Sequence, residues 1–171
     1  MKRKNIFVIL FILLVLGFSC FLMYNKVRDT QQKKNAYSDI PAFQLPDVYG
    51  NVLTEASIQK NKPTLFLFFD PGCELCHSEF NQINANQKSL SQSQLIFFST
   101  LPADSIQRFL ENIAFIPASN MYFLVDENEK LVNLMEIHGP PTAIIYDKNG
   151  KLLKRFNGPV KIETLIKYLS E

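Results

Sequence analysis

The sequence predicts an α/β domain with a mixed central sheet and helices on both sides, preceded by one transmembrane helix. Three observations predict it. An uncharged run follows a basic N-terminus, buried-strand runs alternate with helix-period segments through the middle, and a hairpin followed by a helix closes the chain.

Lys2, Arg3 and Lys4 precede residues 6–24, nineteen residues without a charge. As a helix these reach about 28 Å, close to the roughly 30 Å of a bilayer's hydrocarbon core. A cleaved signal peptide has a shorter apolar core. Phe21, Leu22, Met23 and Tyr24 also keep the segment apolar past Cys20, where a lipoprotein turns polar. Residues 1–24 are therefore expected to be an uncleaved signal anchor, with a lipid-modified Cys20 as the second reading. Positive charge flanks both ends, so charge alone orients the segment poorly. The export-like start places the rest of the chain on the extracytoplasmic (periplasmic) side of the cell membrane. Residues 25–39 (NKVRDTQQKKNAYSD) are polar and without hydrophobic period, as a tether should be. Residues 40–171 are left as the domain.

The net charge of +2 is unevenly spread. Residues 1–36 hold seven Lys/Arg against Asp29, leaving eleven basic and fifteen acidic side chains beyond them, a net of −4. Basic character therefore belongs to the membrane-proximal end and gives no support for nucleic-acid binding. Three cysteines are too few for a disulfide scaffold.

Along the domain, residues 41–53 read as a short hairpin around Gly50-Asn51. Residues 64–70 (TLFLFFD) form a continuous apolar run, a strand buried on both faces. Pro71-Gly72 ends it, and a helix is expected from Cys73 to about Gln87. Residues 94–100 (QLIFFST) make a second buried strand, and 103–114 place Ile106, Phe109, Leu110 and Ile113 on one helical face. A short strand at 121–125, a short helix at 128–135, a strand at 142–147, a hairpin partner at 151–156 and a helix at 161–169 complete the order.

Cys73-Glu74-Leu75-Cys76 opens a helix directly after a buried strand. Cysteines at i and i+3 have β-carbons about 5–6 Å apart, near enough to close a disulfide. So small a ring is a poor staple and better suited to being opened. At the helix start, Cys73 meets free N–H groups and the positive end of the dipole, which favour its thiolate. Cys76, one turn in, is expected to be buried and protonated. That asymmetry assigns Cys73 as the attacking sulfur and Cys76 as the resolving one. Glu79 lies three residues beyond Cys76 on the same side; there it accepts the Cys76 proton, unless it is an ordinary exposed helix glutamate. Glu74 disfavours thiolate formation if it points at a sulfur; a solvated Glu74 is the alternative. His77 and His138 read first as surface histidines. Gly139-Pro140-Pro141-Thr142 precedes a strand, and a proline there removes an N–H and can hold a cis bond.

Together these residues resemble the thioredoxin-like superfamily, in its membrane-anchored TlpA-like/ResA-like branch (redoxin, AhpC/TSA-related), over about residues 41–171. The segment from Pro41 to Asp47 with Gly50 is similar to that branch's N-terminal hairpin extension. Residues 62–69 resemble the strand before its active site, and Cys73 to Phe80 resembles the redox motif of its cytochrome-maturation members. Gly139-Pro140-Pro141-Thr142 resembles the cis-proline loop. The resemblance implies a thioredoxin-like sandwich and a thiol–disulfide oxidoreductase of protein-disulfide reductase type. Its redox-active disulfide would be Cys73–Cys76, with Glu79 catalytic beside it. Gly139, Pro140 and Pro141 would bind substrate, Pro141 as the cis residue. It implies no organic cofactor and no metal, protein dithiol/disulfide substrates, a membrane-borne electron donor, a monomer, and a reductant's place in cell redox homeostasis, with cytochrome c maturation the suggested setting. Gly72 stands where an aromatic residue is usual, Leu67 where thioredoxin itself has a buried acid, and Pro140 lacks the N–H that would pair with a substrate backbone.

The alternative from another class is a copper-binding metallochaperone of the same fold, using Cys73, Cys76 and a histidine. A peroxidase is disfavoured, since Phe66 and Asp70 occupy the positions of the proline and threonine that precede a peroxidatic cysteine.

Overall fold

The apolar run at 64–70 becomes the middle strand of a five-stranded sheet. In a computed structural model, residues 13–26, 28 and 37–170 are described. They fall into two units, Met1–Ala36 and Tyr37–Glu171. In the first, residues 13–26 are helical. Residues 6–12 of the expected membrane span lie outside the described residues. Among the described residues no helix is long and apolar enough to cross a membrane.

The second unit contains β1 (Gln44–Pro46), β2 (Val52–Thr54), β3 (Thr64–Phe68), α1 (Glu74–Ala85), β4 (Gln94–Ser99), α2 (Ala103–Asn112), β5 (Met121–Val125), α3 (Lys130–Leu134), β6 (Thr142–Tyr146), β7 (Leu152–Asn157) and α4 (Ile162–Tyr168). β1 and β2 form a small antiparallel ribbon; the main sheet runs β5-β4-β3-β6-β7. β3 is parallel to β4, and β4 to β5, while β3–β6 and β6–β7 are antiparallel. The mixed sheet is as expected. The parallel half needs helical crossovers and the antiparallel half needs only a tight turn, the two patterns the sequence carries.

Every residue of β3, β4 and β6 is buried, which is why these strands read as unbroken apolar runs. Alternate side chains feed two cores. On one face Leu65, Leu67, Leu95, Phe97 and Phe123 pack with α1, α2 and α4; on the other Phe66, Phe68, Ile96, Phe98 and Tyr146 pack with α3 and the β1–β2 ribbon. The first core is rich in phenylalanine. Phe80 of α1 lies 4.8 Å from Phe69, 5.0 Å from Phe97 and 5.0 Å from Phe109, centroid to centroid. Aromatic contacts of this kind fix ring orientation as well as bury area.

Both hairpins use one turn design. Asp47 Oδ1 accepts the N–H groups of Tyr49 and Asn51, and Asp147 Oδ1 those of Asn149 and Lys151. Gly50 and Gly150 supply the positive φ (87° and 76°) that each turn requires.

The packed domain begins at Tyr37, three residues before the boundary expected at 40. Tyr37 is buried, its ring lies 5.3 Å from the Arg155 guanidinium, and its carbonyl accepts the Tyr146 hydroxyl. A single aromatic in a polar stretch carries no periodicity, so the sequence pattern assigns it to the tether.

Candidate active site at the start of a buried-strand helix

β3 delivers the chain to the site and a short turn re-aims it. Phe69 N–H still donates to Phe98 O, after which Asp70 Oδ1 accepts the Gly72 N–H at 2.7 Å and Asp70 O accepts that of Cys73 at 3.0 Å. A Cβ at position 72 would lie 3.2 Å from Asp70 Oδ1, crowding the carboxylate that shapes the turn. This accounts locally for a glycine where related motifs carry an aromatic residue.

Cys73 is the N-cap of α1, extended at φ −89° and ψ 113°, and half-buried. Cys76 is 1% exposed. Both thiols are free, and they lie close enough to interact. Burial pushes the Cys76 thiol far above its ordinary range, Cys73 and Glu79 push it the same way, and the Asp70 main chain opposes them. Cys73 is thus the more exposed of the two sulfurs and Cys76 the sealed one.

Glu79 is 1% exposed, and neither carboxylate oxygen has a hydrogen-bond partner. Of the two readings open from sequence, exposed or beside the cysteines, the buried one holds. Burial raises its pKa to about 7, and the Val160 main chain opposes the rise. A signal for this position exists in the sequence: Cys76, Phe80 and Ile83 form the buried stripe of α1, and Glu79 sits within it.

The other acid and the two histidines sit apart from this chemistry. Glu74 is exposed in the first turn of α1, the solvated alternative. His77 is half-buried rather than a surface residue, its Nε2 2.8 Å from Pro71 O and its ring edge-on to Phe109 at 4.9 Å. It braces the turn that presents Cys73. His138 is exposed. Among the described residues no three His, Cys, Asp or Glu side chains come together as metal ligands.

The loop before β6 faces the same pair. The Pro140–Pro141 bond is cis, Pro141 is buried, and Pro140 is exposed with its carbonyl 4.0 Å from Cys73 Sγ. Thr142 Oγ1 donates to Gly139 O, and Gly158 N–H to Pro141 O. Two residues that the sequence reading did not single out hold this loop in place. Arg155 on β7 donates to Met135 O and Glu136 O, both at 2.6 Å, at the end of α3. Buried Asp126 accepts three N–H groups, from Lys130, Leu131 and Val132, at the start of the same helix. Neither role follows from spacing, because each depends on where a distant turn arrives.

A family model described as a thioredoxin-like domain matches residues 51–171, more than half of the chain. The chain belongs to the thioredoxin-like family. With its cysteine pair at the helix start, it is a thiol–disulfide oxidoreductase of that fold. It is similar to the thiol-disulfide oxidoreductase ResA of Bacillus cereus, 22% identical over 99% of this chain and 97% of that one. Among solved structures it resembles a secreted Mycobacterium tuberculosis disulfide oxidoreductase homologous to E. coli DsbE (TM-score 0.65, 17% identical, 75% of this chain and 94% of that one). It also resembles the pneumococcal exposed lipoprotein thioredoxin Etrx1 of Streptococcus pneumoniae (TM-score 0.62, 19% identical, 75% and 98%). At these identities the structural likeness speaks for the fold, and this thioredoxin-like chain's site rests on its own residues.

The buried Glu79 makes a prediction for stability. Its folded pKa of about 7 exceeds the ordinary 4.5, so the folded state holds this proton more tightly than the unfolded chain. The resulting stabilisation is fully present below pH 4.5 and is lost as pH rises through 7. Urea unfolding of the reduced protein should therefore show stability falling by up to about 3 kcal/mol between roughly pH 5 and 7.5. Glu79→Gln, which stays neutral, should remove most of that fall; an identical pH profile for both proteins would show that the carboxyl is not desolvated.

Proposed function

We propose that the chain is a membrane-anchored, extracytoplasmic reductant of protein disulfides, with Cys73 attacking and Cys76 resolving. The observation that carries this reading is the inequality of the two sulfurs: one half-buried at a helix start, the other sealed beside an unpartnered carboxyl.

The Cys73 thiolate attacks one sulfur of a partner disulfide, forming a mixed disulfide as the partner's other sulfur leaves as thiolate. Cys76 then transfers its proton to Glu79 and attacks Cys73 Sγ. The Cys73–Cys76 disulfide forms, the partner's second thiolate departs, and two electrons have passed to the partner. Glu79, with a pKa near neutrality, accepts the proton without being permanently charged beside the resolving thiol. Pro140 borders the attacking sulfur and, with Gly139 and Pro141, forms the substrate-binding edge, offering its carbonyl and no N–H of its own.

The electrostatics of the pair support the reducing direction. A strongly oxidising pair stabilises its reduced form as a thiolate. Here burial and Glu79 make a thiolate at Cys76 costly, which favours giving electrons up and closing the disulfide. The uncharged run at 6–24 is the anchor, a membrane-borne donor restores the dithiol, and a partner of the cytochrome c maturation kind suits a reductant so placed.

Two outcomes test this. Cys76→Ser should accumulate mixed disulfides with partner proteins through Cys73, visible on non-reducing gels, and Cys73→Ser should not; equal trapping would contradict the assigned roles. Titration of the full chain against glutathione buffers should give a potential near thioredoxin's roughly −270 mV, whereas a value near about −120 mV would mark an oxidant.

A further inference from the structure

Two separate parts of the site are tied to one short stretch of chain. β7 ends at Asn157, which pairs with Thr142 in the register of the sheet, and α4 begins at Ile162. Between them, residues 158–161 cross from the substrate loop to α1. At one end Gly158 N–H donates to Pro141 O at 2.8 Å. At the other, Ile162 N–H donates to Gln82 Oε1 at 3.4 Å, and Gln82 lies one turn beyond Glu79 on α1. Gly158 is held at φ 110°, with open space where a Cβ would lie.

Val160 is the inward-facing residue of this strap. It is buried in the same apolar cluster as Cys76, Phe80 and Leu165, while Pro159 and Lys161 on either side are exposed. Among the described residues, its main chain is the polar group from outside α1 that favours a charge on Glu79. On α1 itself, Cys73 and Cys76 are the acidic neighbours, His77 is turned to Pro71 O, and Glu74 is exposed. The strands bring apolar side chains to this core, and the charged residues of α2 and α4 (Asp104, Arg108, Glu111, Glu163 and Lys167) are exposed. What seals the carboxyl on the strap side is therefore Val160.

We propose that residues 158–160 are a positioning strap that couples the substrate loop to Glu79: Gly158 ties the strap to Pro141 O, Val160 closes it over the carboxyl, and a partner docked on the loop acts through it on the proton acceptor. The inference rests on the reading of Glu79 given above. The strap is stiff. Proline fixes φ at position 159, and the left-handed angle at 158 suits glycine, so a shift at Pro141 is carried to Val160 rather than absorbed between them. An acid without hydrogen-bond partners is sensitive to such a shift, because its hold on a proton is set by how completely water is excluded. Seating the strap strengthens that hold at the moment Cys76 must give up its proton; displacing it admits water and lets the proton go.

The test is an NMR titration of the reduced full chain in detergent micelles, following the Glu79 carboxyl together with the Gly158 and Thr142 amides. Both amides should show a step at the Glu79 midpoint, near 7. Glu79→Gln should abolish that step, which separates it from the titration of His77 and His138. Gly158→Ala meets no clash but strains the backbone. It should lower the Glu79 midpoint by at least about one pH unit, although residue 158 makes no hydrogen bond to the carboxyl. Val160→Ala should lower it as well. Val48→Ala, in the same cluster but tied by its N–H to Phe123 O, should cost stability and leave the midpoint in place. Amides silent at the Glu79 step, or a Gly158→Ala midpoint equal to that of the unaltered chain, overturn the coupling and leave Glu79 as the acceptor. Should Gly158→Ala fail to fold, the amide titration of the unaltered chain decides alone. A midpoint near 4.5 in the unaltered chain overturns the acceptor and the coupling together.

Discussion

A carboxyl group sealed from water with neither oxygen hydrogen-bonded is the constraint on which this site turns. Burying a charge without partners costs far more than burying a neutral acid, so the protein holds Glu79 near the balance point between its two protonation states. The surroundings enforce this. Phe80, Phe97 and Phe109 close the core beneath α1, and Cys76 shares the pocket, so water that would stabilise either charge is kept away. Burial is what displaces the Cys76 thiol upward, and the neighbouring Cys73 and Glu79 add to it.

The fold supplies the contrast between the sulfurs by position alone. A strand buried on both faces ends where a helix begins, and the first helical turn lies at the boundary between solvent and core. Cys73, at the cap, stands on that boundary; Cys76, three residues later, is already inside. The turn between strand and helix is fixed by Asp70 and braced by His77, and the facing loop is fixed by Arg155 and Asp126 through α3. The geometry at the mouth therefore depends on hydrogen bonds made well outside it.

Much of this was legible in the amino-acid order. The apolar runs at 64–70, 94–100 and 142–147 became β3, β4 and β6 because strands buried on both faces leave no polar alternation to misread. The short strand at 121–125 and the hairpin turn at Gly150 likewise fell where expected. The cysteine pair and its strand-to-helix setting were local, and hence readable. Contacts set by distant loop closure were not. His77 reads as a surface residue because its partner is a main-chain carbonyl with no sequence signature, and Arg155 as one more charge on an edge strand. Glu79 was half legible: its place in the Cys76–Phe80–Ile83 stripe marks it as buried, while its chemistry argues for exposure, and only the packed structure decides. The described residues leave residues 6–12 aside, so the anchor rests on the sequence.

The most direct measurement is the titration of the Glu79 side-chain carboxyl itself, followed by carbon NMR in the reduced protein labelled at glutamate, with Glu79→Gln to assign the resonance. The account predicts a midpoint near 7. A midpoint near the ordinary 4.5 would mean that water reaches the carboxyl, and the proposed proton acceptor beside Cys76 would be lost.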